Sequence, residues 1–295
     1  MTDTSPRPYR PVATFLLLTF ALSAIFYALI IHAGRLAAGN GIYVTGLMWC
    51  PGLAALLTCR VLGRPISTLG WRWDWRYQRW AFLIPIAYAG AAYVAVWISG
   101  LGGFPNRAFL AQVAERFGWA GAPLWLVAAG YVLLTGTVGM VRGTSTALGE
   151  EIGWRGFLVP ELSRTMSFTS TALVSGIIWA AWHFPILLFA DYNSGTPAWY
   201  GLTCFTVMVV GISFVFAWLR LRSGSLWTGA VMHASHNVFI QAIFTPLTTD
   251  TGKTAYVIDE FGWMLALVAV IAAGVVWARR TETTRAMAGL VAAGT

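Results

Sequence analysis

Charge is scarce in this chain. Asp, Glu, Lys and Arg together make up 10% of its 295 residues, against about 25% in an average soluble domain. Its three cysteines, Cys50, Cys59 and Cys204, all fall in apolar segments and show no close pairing. That excludes a disulfide framework and a cysteine zinc cluster, and leaves packing as their role. There is no H-E-x-x-H metalloprotease signature, no serine nucleophile elbow and no G-x-x-x-x-G-K phosphate loop. Internal repeats, low-complexity tracts and any stretch polar enough for a soluble domain are also missing, so residues 1–295 read as one integral membrane domain.

What is present is long apolar runs. Hydrophobic residues reach 58% and the mean hydropathy is +0.67. The 16 tryptophans cluster near the ends of these runs, where amphipathic rings settle at a membrane–water boundary. A β-barrel would alternate apolar and polar residues instead. The fold class is therefore all-α: a polytopic membrane protein with about eight transmembrane helices. The expected spans are 12–33, 43–62, 81–101, 123–141, 171–190, 199–221, 226–244 and 261–278, each near the ~20 residues that a bilayer core requires. The first is too long for a signal-peptide core and lacks a convincing cleavage site, so it reads as a retained anchor.

The net charge of +8 invites a nucleic-acid partner, but its distribution argues against one. With the N-terminus inside, 15 of the 19 Lys and Arg fall on the cytoplasmic side, among them Arg7, Arg76 and Arg285. Arg35, Arg107, Arg116 and Lys253 fall outside. This is the positive-inside pattern, and it expects cytoplasmic N- and C-termini.

Against this apolar background a few ionisable groups stand out. An ionisable side chain inside a membrane helix is costly and usually has both a partner and a task. Glu150-Glu151 lies on a segment, 143–164, that continues the fourth span or restarts near Thr144, with Pro160 expected to break or kink it. Glu151 and Arg155 are spaced i, i+4 and share one helix face, so Arg155 can neutralise Glu151. Glu150 points about a quarter turn away and stays free, placed to act as a general base. His183 lies in the fifth span just before Pro185, which leaves the Ala181 carbonyl without its helical donor. His233 and Asn237, also i, i+4, share a face of the seventh span, with His236 on a nearby face. His32 has no companion and reads as a boundary residue. Taken singly, each group has a structural explanation: a helix-end ion pair, or hydrogen bonds between packed helices. Together, on three helices, they read as a hydrolytic site gathered around one water.

Glu150-Glu151-x-x-x-Arg155, Trp179-x-x-x-His183 and His233-x-x-x-Asn237 resemble, in order and spacing, the three motifs of the CAAX protease and bacteriocin-processing (Abi) family. The resemblance covers about 123–244. It implies an eight-helix intramembrane endopeptidase in a bacterial plasma membrane, hydrolysing a peptide bond in a membrane-associated or lipid-modified protein or peptide. In it Glu150 and His183 would activate a water, and His233 and Asn237 would stabilise the oxyanion. Glu151 and Arg155 would support the site. If a metal is used, with zinc the candidate, its ligands would be Glu150, His183 and His233; a metal-free glutamate mechanism is the other form. Membrane lipids and the substrate are the expected partners. The competing functions are a non-catalytic scaffold or bacteriocin self-immunity protein of the same fold, and a proton-coupled transporter. A transporter would spread its ionisable groups through both halves of the bilayer. Here they gather in the later spans, and the cavity they form is expected to open to the cytoplasm.

Overall fold

The computed structural model describes residues 9–193 and 195–283; Arg7 and Arg285 lie outside them. The chain is a polytopic all-α membrane protein. Among the described residues the sole β pairing is one isolated bridge between Gly103 and Thr249. We number the helices α1 (Arg10–Ala33), α2 (Ile42–Val61), α3 (Trp75–Ser99), α4 (Arg107–Arg116), α5 (Leu124–Ser163), α6 (Phe168–Phe189), α7 (Ala198–Ser223), α8 (227–247) and α9 (Trp263–Ala278).

Six helices are long and apolar enough to cross a membrane: α1, α2 with its preceding turn, α3, α5, α6 and α7. The expected eight is not reached by that measure. Helix α8 carries the polar residues His233, His236, Asn237 and Gln241, and α9 has 16 residues. Local signals set the ends. Asp74, Asn106 and Ser167 accept backbone N–H groups at the starts of α3, α4 and α6, relieving unpaired amides there. Left-handed Gly34, Gly100 and Gly224 close α1, α3 and α7.

The fourth expected span does not stop at Val141. Helix α5 runs unbroken for 40 residues, ~60 Å at 1.5 Å per residue, twice the ~30 Å hydrocarbon core. Pro160 does not break it, because it sits in the turn that follows a π-helical segment, Ile152–Leu158, where the backbone is already widened. Arg142 is therefore an exposed residue within this helix rather than a loop charge.

Contacts between connecting segments sort them into two faces. Leu36 N–H bonds Asp191, and Gly103 pairs with Thr249, which puts 34–41, 100–106, 190–197 and 248–262 on one face. Arg64 pairs with Glu161, and Leu226 N–H bonds the Gly70 carbonyl, which puts 62–74, 161–167 and 222–227 on the other. The second face carries Arg60, Arg64, Arg72, Arg76, Arg164, Arg220 and Arg222.

The core brings α5 against its neighbours at its two acids. Gly149 and Gly153, four apart and flanking Glu150-Glu151, lie on Pro51-Gly52 of α2. A Cβ on Gly149 would stand 2.8 Å from the Met48 carbonyl oxygen, and one on Gly153 would stand 2.7 Å from that of Pro51. Such small-residue crossings let membrane helices approach backbone to backbone. Gly149→Val should lower the melting temperature of the purified protein, with an overpacking cost of about 1–3 kcal/mol. Gly274→Ala, whose Cβ would meet nothing within 4 Å, should leave it unchanged or slightly raised; equal effects of the two would refute the tight crossing.

Candidate active site

Helix α5 presents its two acids to different partners. Glu151 and Glu150 are both buried, at 0% and 2% exposed. Glu151 Oε1 accepts from Arg155 Nη1 at 2.7 Å and faces His233 Nδ1 at 3.0 Å. The Arg155 guanidinium lies between aromatic faces, 4.1 Å from the Trp179 ring centroid and 3.7 Å from that of Phe216, so cation–π attraction adds to the ion pair. Arg220 Nε donates to the Arg155 carbonyl at 2.6 Å, within the π segment that widens this turn. Gly229 lets α8 come this close, because a Cβ there would sit 2.4 Å from Glu151 Oε2.

Glu150 turns the other way. Its Oε2 accepts two indole N–H bonds, from Trp179 at 2.8 Å and Trp154 at 3.2 Å. Trp154 is held in turn by edge contacts with Phe15 and Trp182. Two fixed donors on one oxygen fix the Glu150 rotamer. Glu150 lines a 220 Å³ cavity together with His183, His233, His236, Asn237 and Glu260.

Both motif histidines are locked through one nitrogen. His183 Nδ1 lies 2.8 Å from the Trp179 carbonyl oxygen, which can only accept, so Nδ1 carries the proton and Nε2 holds a lone pair. His233 Nδ1 faces the Glu151 carboxylate, so its Nε2 is likewise the free atom. The structure thus brings Glu150, His183, His233 and Asn237 to one cavity, while Glu151 and Arg155 stand behind His233. Glu151 is more than the partner of Arg155, because it also fixes the orientation of His233.

Continuity of α5 explains how the sites meet in depth. Glu150 is thirteen residues before Ser163, and His183 is fifteen after Phe168, which puts them ~20 and ~22 Å from the same face. The cavity lies toward the face opposite the arginine-rich one: Leu36, Tyr192 and Glu260, all in loops on that far face, contribute to its wall. The reason is that α5 carries the acids much deeper than a span ending at Val141 would.

Several lining groups were not apparent from the motifs. Glu260, in the loop before α9, has Oε1 3.0 Å from His236 Nε2 and accepts the Tyr192 hydroxyl on Oε2 at 2.8 Å. His236 Nδ1 is bonded to the Tyr88 hydroxyl. Gln241 lies one helical turn beyond Asn237. The i, i+4 spacing of Trp154 after Glu150, and of Gly149 and Gly153, was a usable signal; nothing local ties Glu260 to the motifs.

The groups expected to bind zinc line one cavity, but they do not come together as a ligand set. Among the described residues no three His, Cys, Asp or Glu side chains are grouped to hold an ion, although both Nε2 atoms are free. No step below runs through a metal.

Residues 133–239 match the family described as Type II CAAX prenyl endopeptidase Rce1-like. That segment of the chain is similar to the CAAX-protease family. The matched segment begins in α5 and ends in α8, and so contains all three motifs. A curated relative, CAAX prenyl protease 2 of Methanococcus maripaludis, is 29% identical over 80 residues, which is 25% of this chain. The alignment spans 28% of that relative's length.

The two acids of this CAAX-protease-like core should separate in a thermal melt. Glu150→Gln keeps a side-chain oxygen to accept both indole bonds, so the melting temperature should stay within about 2 °C of wild type, less than the shift about 1 kcal/mol produces in a protein this size. Glu151→Gln leaves Arg155 and His233 without their anion and should cost about 3–5 kcal/mol. A stable Glu151→Gln protein would refute this division.

Proposed function

We propose that the chain is an intramembrane endopeptidase acting on a membrane-associated or lipid-modified peptide through a Glu150/His183-activated water. The observation that supports this reading best is the convergence on one cavity of a carboxylate with a fixed rotamer and two imidazoles whose Nε2 atoms are free. Much of the remaining wall is apolar, with Leu47, Met48, Ile186, Phe205, Met208 and Ile212, which suits a substrate arriving from the bilayer. A water held between Glu150 and His183 Nε2 loses a proton to Glu150 as its oxygen attacks the scissile carbonyl. The imidazolium form of His233, supported by Glu151 behind it, and the Asn237 amide donate to the oxyanion. Glu150 then returns the proton to the leaving nitrogen as the C–N bond breaks, which closes the balance of atoms and charge. In this reading Glu151 and Arg155 are positioning residues.

A cleavage assay on a pool of apolar, membrane-partitioning peptides tests this. Wild type should cut at defined bonds. Glu150→Gln should reduce the rate at least about 10³-fold, the scale of losing a general base plus water positioning, while the protein still melts like wild type. Glu150→Gln cutting at near the wild-type rate would sink the mechanism; wild type cutting nothing would sink the protease reading.

We also place both termini in the cytoplasm, because the arginine-rich face carries the inside charges. The cavity then lies toward the outer face. An impermeant thiol reagent applied to intact cells should modify a cysteine introduced beside Arg107 and spare one beside Arg76. The reverse pattern would invert the topology.

A further inference from the structure

Two carboxylates, Glu150 and Glu260, line the cavity, and among the described residues no Lys or Arg lines it. Arg155, the cation nearest in the motifs, is not part of the wall; it is spent on Glu151 and on two aromatic faces. Arg35 neighbours the lining Leu36 but is exposed and is not a lining residue either.

The bonds around Glu260 have one assignment in which every donor is used. Tyr88 donates to His236 Nδ1, His236 Nε2–H donates to Glu260 Oε1, and Tyr192 donates to Glu260 Oε2. This network leaves Glu260 ionised, with no Lys or Arg on the cavity wall to neutralise it. Burial opposes the charge, but the donors His236 and Tyr192 outweigh it and hold the Glu260 carboxyl below its usual range. Burial and the neighbouring Glu260 charge push Asp259 up to about 7, so of the two adjacent acids Glu260 carries the negative charge. Tyr192 also lies over His183, with ring centroids 6.3 Å apart and planes at 25°, so this anionic end stands directly beside the reacting centre.

We propose that Glu260 is a specificity-determining residue that makes the cavity select a peptide bearing a cationic side chain, and reject one presenting a free carboxylate, at the position beyond His183. The inference rests on the peptide-hydrolysis reading of the same site. A buried carboxylate with lone pairs to spare favours an ammonium or guanidinium through a charge-assisted hydrogen bond. A terminal carboxylate entering the same space meets two like charges and no permanent cation. The substrate class that follows is an internal or amide-capped stretch of an apolar peptide with a lysine or arginine near the scissile bond.

The test is binding, so that it does not depend on turnover. Three N-acetylated apolar peptides of one sequence would be titrated against the full chain in nanodiscs. One ends in lysine amide, one in norleucine amide and one in norleucine with a free carboxylate. The Glu150→Gln background prevents hydrolysis and leaves Glu260 as the one cavity carboxylate under test, and quenching of the cavity tryptophans reports occupancy. The lysine peptide should bind about tenfold tighter than the norleucine amide, and the free carboxylate about tenfold weaker, each a 1.4 kcal/mol difference. Glu260→Gln should bring all three within about twofold. Tyr192→Phe, which removes one donor but keeps the charge, should retain the order and guards against a Glu260→Gln protein that fails to fold. Equal affinities, preference for the free carboxylate, or no binding of any peptide overturns the proposal. Failure to cleave in the wild-type assay, with this affinity order intact, would strike the protease reading alone.

Discussion

The Glu151 carboxylate is the interaction on which the rest of the site depends. It is fully buried and holds Arg155 on one side and His233 on the other. A buried anion without such partners would cost several kcal/mol. Arg155 in turn sits between Trp179 and Phe216, and its carbonyl is held by Arg220. Four helices, α5, α6, α7 and α8, are thereby fixed around one charge. The glycines at 149, 153 and 229 are consequences of the same closeness, since each stands where a side chain would collide with a neighbouring backbone or with the carboxylate itself.

Two adjacent acids acquire different chemistry from this arrangement. Successive residues on a helix point ~100° apart, so one carboxylate can be neutralised in the packing while the other faces the cavity. Trp179 links the two. Its indole N–H holds Glu150, its ring covers Arg155, and its carbonyl fixes His183. An aromatic residue four before a histidine thus has three physical duties in this chain, and phenylalanine in its place could not supply the N–H.

Much of this was legible in the sequence. The all-α membrane class follows from the apolar runs, the Glu151–Arg155 pair from i, i+4 spacing, and the shared face of His233 and Asn237 from the same rule. The family resemblance rested on residues that the structure gathers into one cavity. What stayed hidden was long-range or depended on backbone irregularity. Residues 135–149 are rich in Gly, Thr and Ser, and this masked the continuity of α5, which α8 and its own π segments support. The depth of Glu150 is hidden in the sequence for that reason. Glu260 lies far along the chain from the other acids, in a loop with no motif around it, and only the fold brings it beside His236 and Tyr192.

The central claim is that Glu150 and His183 act on one water. A double-mutant cycle on peptide cleavage tests it most directly, comparing kcat/KM for wild type, Glu150→Gln, His183→Gln and the double variant. Groups that serve a single nucleophile act as a unit, and their losses do not multiply. The double variant should be no more than about threefold slower than the worse single variant. Losses that multiply across the two positions would show that they act on separate steps and would contradict the account.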